Sequence, residues 1–199
     1  MKKSNFKVRL MTVLSILSLM LFSHCAMQDA DDLNSKLSEL QKGELAIEEN
    51  GGENLRKNAQ NQILAEIKQA TSKFHKIESA METGYELGSH CVSHSEWGAM
   101  GYHYVNSDEV DGQMNHLIPE ALVYEPMQNG NLKLVAVEYI IMADLWEGDG
   151  VPMLGEIAFD FVPGNPDGIP FDNYQLHVWV WKDNPNGMYF SFNPKVTCE

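Results

Sequence analysis

A change of periodicity at Gly88 constrains this chain more than any single motif. Ahead of it, Ile63, Ile67, Ala70, Phe74, Ile77 and Met81 recur at alternating spacings of four and three, with Lys, Gln and Glu between them. That is the pattern of an amphipathic helix, and it predicts one of about 25 to 30 residues beginning near Leu55 and ending near Gly84. The same spacing permits a coiled coil, but so few heptads favour packing on the protein's own sheet. Beyond Gly88 the helical period stops. Short β-rich runs take over at 101–106, 121–125, 132–142, 157–162, 174–182 and 188–192, separated by Gly, Pro and Asn. Asn129-Gly130 favours a tight hairpin, and Asn184-Pro185-Asn186-Gly187 suits a second turn. The expected fold is α+β, a long N-terminal amphipathic helix packed on a strongly curved antiparallel sheet or partial barrel. Pro152, Pro163, Pro166 and Pro170 with nearby glycines predict long loops that form a rim or lid.

The chain opens with Lys2, Lys3, Lys7 and Arg9, then an apolar run from Leu10 to Phe22 and Ser23-His24-Cys25. A basic head followed by a segment shorter than the roughly 20 residues of a membrane span reads as an export signal. Its ending resembles a bacterial lipoprotein signal, which implies acylation of Cys25 and a membrane anchor. Ordinary secretory cleavage is the alternative, because Phe22 and His24 depart from the usual pattern. Gln28-Asp29-Ala30-Asp31-Asp32 looks like the acidic patch that directs some lipoproteins to the cell surface. The expected location is therefore the outer membrane or cell surface, or else the periplasm or medium. Residues 1–25 form the signal, 26–54 an acidic flexible tether with transient helix, and 55–199 one globular domain.

The net charge is −14, and the first 25 residues hold four cations and no acid, so the remainder stands at −18. So acidic a surface excludes nucleic acid as a partner. With Cys25 set apart, Cys91 and Cys198 remain, an even pair for an oxidising compartment, and they are expected to form a disulfide. A thiolate metal site is the competing reading and calls for more clustered Cys or His.

Side-chain alternation selects the candidate site. On the 174–182 run His177 shares a face with Trp179 and Trp181, opposite Leu176, Val178 and Val180. Glu138 shares its face with Leu134, Ala136 and Ile140, where an ionised carboxylate is costly without a partner. His103 sits between Tyr102 and Tyr104. His103, Glu138 and His177 on three apolar strands supply what a two-histidine, one-carboxylate metal site requires, and Zn²⁺, Fe²⁺, Mn²⁺ or Cu²⁺ all suit such a donor set. The alternative is a buried hydrogen-bonded network of the same residues. Tyr102, Tyr104, Tyr139, Trp179 and Trp181 are candidates for stacking on a sugar ring or another flat ligand. His90, His94 and His116 are weaker ligand candidates, and no nucleophile elbow surrounds Ser93 or Ser95.

The runs from Gly98 to Asn106, Pro119 to Pro126, Leu134 to Tyr139 and Leu176 to Lys182, continuing through Asn193-Pro194 to Cys198, resemble a family of uncharacterised exported bacterial proteins. The resemblance spans roughly 73–198 and brings no established activity. In it His103, Glu138, His177, Cys91 and Cys198 fall within the shared blocks, which favours both the site and the disulfide. Together these readings make the chain an exported, lipid-anchored envelope protein that binds a metal ion or small ligand in a sheet-lined pocket. A metal-dependent enzyme and a structural or partner-binding lipoprotein are the alternatives.

Overall fold

A computed structural model describes residues 28–198, so Cys25 and the export segment lie outside the described residues. The chain divides into two compact units, Met1–Asn50 and Gly51–Glu199. Helix α1 covers Gln28–Thr71, so the stretch expected as a tether is helical from Gln28 onward, and the helix does not begin at Leu55.

The helix expected to continue to Gly84 is broken. A 3₁₀ turn occupies Ser72–His75, Lys76 is extended, and the short α2 runs Ile77–Glu82. This break resets the helical phase. Ile67, Phe74 and Ala80 are buried, whereas Met81, on the expected apolar stripe, is exposed and Ala80 takes its place. Thr71 explains part of the break. Its buried hydroxyl donates to the Ile67 carbonyl and accepts from the Trp181 indole N–H, tying the end of α1 to the sheet side.

Among the described residues nine strands follow: β1 Glu86–Leu87, β2 Val92–His94, β3 Gly98–Val105, β4 Ala121–Pro126, β5 Leu132–Met142, β6 Met153–Leu154, β7 Ile157–Ala158, β8 Asp160–Val162 and β9 Asn173–Val178. The main sheet is antiparallel with the order β1-β3-β4-β5-β9-β8, β2 adding to β3, and β6-β7 form a separate ribbon. The α+β class and antiparallel sheet are as expected, but the order ends in β1 on one side and β8 on the other, so the sheet is open and the strongly curved partial barrel that was expected is not found among the described residues. The β4–β5 hairpin turns at Asn129-Gly130, with Gly130 at φ 80°, as its sequence dictates. The 188–192 run is not a strand. Across the turn at Asn184 to Gly187 the Trp179 N–H bonds to the Met188 carbonyl, and side chains of Trp179 and Asn184 take the Phe190 and Phe192 carbonyls in place of a strand ladder.

Both faces of the sheet are covered. One carries Leu122, Tyr124, Val137, Tyr139, Leu176 and Val178 against Ile67, Phe74 and Tyr85. The other carries a smaller cluster of Ala99, Val123, Val135, Ala136, Trp179 and Val196, with Cys198 at its margin. A register irregularity next to Val123 pairs Tyr124 with Leu134 while Val123 pairs with Ala136, so β5 has one extra residue there. Leu134 consequently joins the helix-side core, and it does not share the face of Ala136 and Glu138 as simple alternation required. Cys91 and Cys198 are bridged, with Cα atoms 5.6 Å apart, joining the segment before β2 to the chain end across 107 residues.

Candidate metal centre

The cross-strand register assembles the site. Glu138, in the middle of β5, is the direct partner of His177 on β9 and of Ala121 on β4. His103 on β3 pairs with Val123, which in turn pairs with Ala136. Directly paired residues share a face, so all three polar side chains project from the side of the sheet opposite α1. His103 is two strands from Glu138, and between them β4 presents Ala121 and Val123 on the same face.

The result is a compact, nearly dry cluster. His103, Glu138 and His177 retain 7%, 4% and 3% of their exposure, and one ligand atom from each lies within 4.8 Å of the others. His103 Nε2 is 3.4 Å from Glu138 Oε2, His177 Nδ1 is 3.5 Å from Glu138 Oε1, and the two imidazole Nε2 atoms are 3.3 Å apart. Ligands about 2.0 to 2.1 Å from a tetrahedral ion stand about 3.3 to 3.4 Å from each other. The three approaches use both nitrogens of His177 and both oxygens of Glu138, but one donor atom from each residue falls within 4.8 Å of the others, so by donor type and proximity the group can hold a divalent ion.

Burial sets the charge state without an ion. Desolvation raises the Glu138 carboxyl to about 8 and lowers His103 to about 4. His177 falls to about 3, by desolvation first and then by the neighbouring His103. At neutral pH all three are uncharged, so the 3.4 and 3.5 Å approaches join neutral partners. Neutral imidazoles are the form that ligates a metal, and only Glu138 must give up a proton to bind one.

Sequence reasoning missed the residue that holds His103. Ser89 Oγ lies 2.9 Å from His103 Nδ1, accepts the His103 backbone N–H at 3.3 Å, and donates to the His90 carbonyl at 2.9 Å. A serine in the turn after the short β1 has no distinctive signal, and it is the pairing of β1 with β3, continued by the Gly88 N–H to the His103 carbonyl, that places it here. A Cβ on Gly88 would stand 2.6 Å from Val105 Cγ2, so only glycine lets the chain approach β3 this closely. Glu120 was also missed. It is 2% exposed, accepts the Ile140 N–H at 3.0 Å, and is raised to about 8, chiefly by burial.

The aromatic candidates do not form one platform. Tyr139 is fully buried, its hydroxyl donating to the His116 carbonyl, and Tyr104 packs on Tyr124 in the helix-side core. Trp179 belongs to the opposite cluster and donates to the Phe190 carbonyl. Trp181 was expected on the face of His177, but β9 ends at Val178 and the chain bends, sending Trp181 to Thr71 and the His75 ring. Tyr102 is partly buried on β3. His94 stacks on Trp97, His116 pairs with Glu66 at 2.8 Å, and His90 is exposed, so none of these joins the cluster. A cleft of about 600 Å³ lies elsewhere, bounded by Asp111, Met114, Leu145, Trp146 and Glu147, and it includes neither the triad nor Pro152, Pro163, Pro166 or Pro170 of the expected rim loops.

No family model, no curated protein and no solved structure matches this chain. Among the described residues no helix is long and apolar enough to cross a membrane.

Proposed function

We propose that this is an exported, lipid-anchored envelope protein that binds a divalent transition metal through His103, Glu138 and His177. One observation carries the reading: two imidazoles and a carboxylate from three separate strands bring ligand atoms within 4.8 Å in a buried setting. Burying three titratable groups together is costly, and an ion that neutralises the carboxylate and accepts both imidazole lone pairs offsets that cost. Three protein ligands leave a further position for a small exogenous ligand, and a bound ion supplies Lewis acidity there. The near-complete burial favours a small ligand over a bulky substrate, which makes the enzymatic alternative secondary. Anchoring through Cys25 and exposure at the envelope rest on the signal-like start of the chain.

A second reading has its own observation. The 3.3 Å separation of the two Nε2 atoms is within hydrogen-bonding reach if one imidazole donates to the other, as a purely structural network requires. Titrating Zn²⁺ or Co²⁺ into the chelator-treated full chain separates the two. Saturable one-to-one binding lost in both His103→Ala and His177→Ala supports the metal centre, and folded protein without binding supports the network.

A further inference from the structure

We infer that Ser89 is the positioning residue of this centre, fixing His103 as the Nδ1–H tautomer so that its Nε2 lone pair faces Glu138 and His177. Its consequence for metal binding rests on the reading above, whereas the tautomer assignment rests on geometry alone.

The argument is an inventory of hydrogens. A serine hydroxyl has one hydrogen and two lone pairs. One lone pair of Ser89 accepts the His103 backbone N–H, and we assign the single hydrogen to the His90 carbonyl, 2.9 Å away. The remaining lone pair faces His103 Nδ1 at 2.9 Å, which calls for a hydrogen on that nitrogen. A neutral imidazole with Nδ1 protonated has a bare Nε2, and this is the atom 3.4 Å from Glu138 Oε2 and 3.3 Å from His177 Nε2. Outer ligands of this kind set the tautomer and ring orientation of metal-binding histidines.

The chain around Ser89 is held on both sides. Gly88 N–H bonds to the His103 carbonyl at 2.9 Å, and Cys91, two residues on, is bridged to Cys198. Ser89 is therefore carried on a short stapled segment against the strand whose histidine it orients.

The test is long-range ¹H–¹⁵N correlation on the full chain labelled at histidine, combined with Co²⁺ titration. In the unaltered, metal-free protein His103 is expected to show protonated Nδ1 and bare Nε2. Ser89→Ala should return His103 to the Nε2–H form or a mixture and weaken Co²⁺ binding by about 10- to 100-fold, while Ser89→Thr preserves both. Nε2–H in the unaltered protein overturns the inference, and that measurement needs no variant to fold. An unchanged tautomer in Ser89→Ala also overturns it, even if Co²⁺ affinity falls. The expected tautomer in a protein that binds no Co²⁺ upholds the role of Ser89 and removes the metal reading instead.

Discussion

Glu138 and His177 stand directly opposite each other on β5 and β9, with Glu138 Oε1 3.5 Å from His177 Nδ1 and both side chains almost wholly buried. Placing a carboxylate and an imidazole at one cross-strand position in the interior of a sheet makes their protonation states interdependent. Whatever enters or leaves this cluster must settle the charge on Glu138.

Glu138→Gln separates packing from ligation. Because the buried carboxyl is uncharged at neutral pH, its neutral isostere should change metal-free stability by less than about 1 kcal/mol. Added Zn²⁺ at about 100 times Kd should stabilise the unaltered protein by about 2.7 kcal/mol and the variant hardly at all. Thermal melts with and without metal provide the comparison. Equal stabilisation of both proteins would remove Glu138 from the ligand set.

Stability without metal should fall on the alkaline side. Glu120 and Glu138 titrate near 8 in the fold against 4.5 for the ordinary carboxyl. Between these values the unfolded chain has released protons that the folded chain keeps, so raising the pH favours unfolding. His103 and His177 act in the opposite sense. Their folded values of about 4 and 3 lie below the usual 6.5, so stability is lost as pH falls below 6.5. The effects oppose each other between 4.5 and 6.5, giving a broad optimum there and a decline from 6.5 toward 8. Urea midpoints measured in chelator across this range should follow that shape, and a midpoint rising from pH 6.5 to 8 would contradict the assignments.

Opening the Cys91–Cys198 bridge, by a dithiol or by replacing both residues with alanine, should cost about 4 to 5 kcal/mol on the chain-entropy estimate for a loop this long. Denaturant unfolding with and without reductant measures it. A cost below about 1 kcal/mol would show that the two ends of the bridge are held by other contacts.

Lys182→Met tests a buried ion pair. Lys182 Nζ donates to both carboxylate oxygens of Glu125, at 2.5 and 2.7 Å, and Glu125 is 7% exposed. Removing the cation strands a buried carboxylate, which should cost about 3 to 5 kcal/mol. The double variant Glu125→Leu/Lys182→Met should recover most of that loss in the same unfolding measurement.

Period and turn chemistry made much of this architecture legible. The 3.6-residue stripe marked Ile63, Ile67 and Phe74, the run from Leu132 to Met142 is one strand with those limits, and Asn129-Gly130 turns its hairpin. The triad was legible because a His or Glu among Val, Trp and Tyr on an apolar strand must be satisfied by something. What alternation missed were its interruptions. The extra residue in β5 moved Leu134 to the helix side, the early end of β9 moved Trp181, and the break at Thr71 exchanged Met81 for Ala80. Each depends on a long-range contact that no local window contains. Ser89 was hidden for the same reason, since its role arises only where Gly88 meets His103.

Elemental analysis of the full chain, exported in bacteria and extracted in detergent without chelator or histidine tag, addresses the metal centre most directly. Close to one transition-metal ion per chain, absent from folded His103→Ala and His177→Ala, is the expected result. A folded protein carrying no metal, and taking up none from excess Zn²⁺ or Co²⁺, would contradict it and leave His103, Glu138 and His177 as a structural hydrogen-bond network.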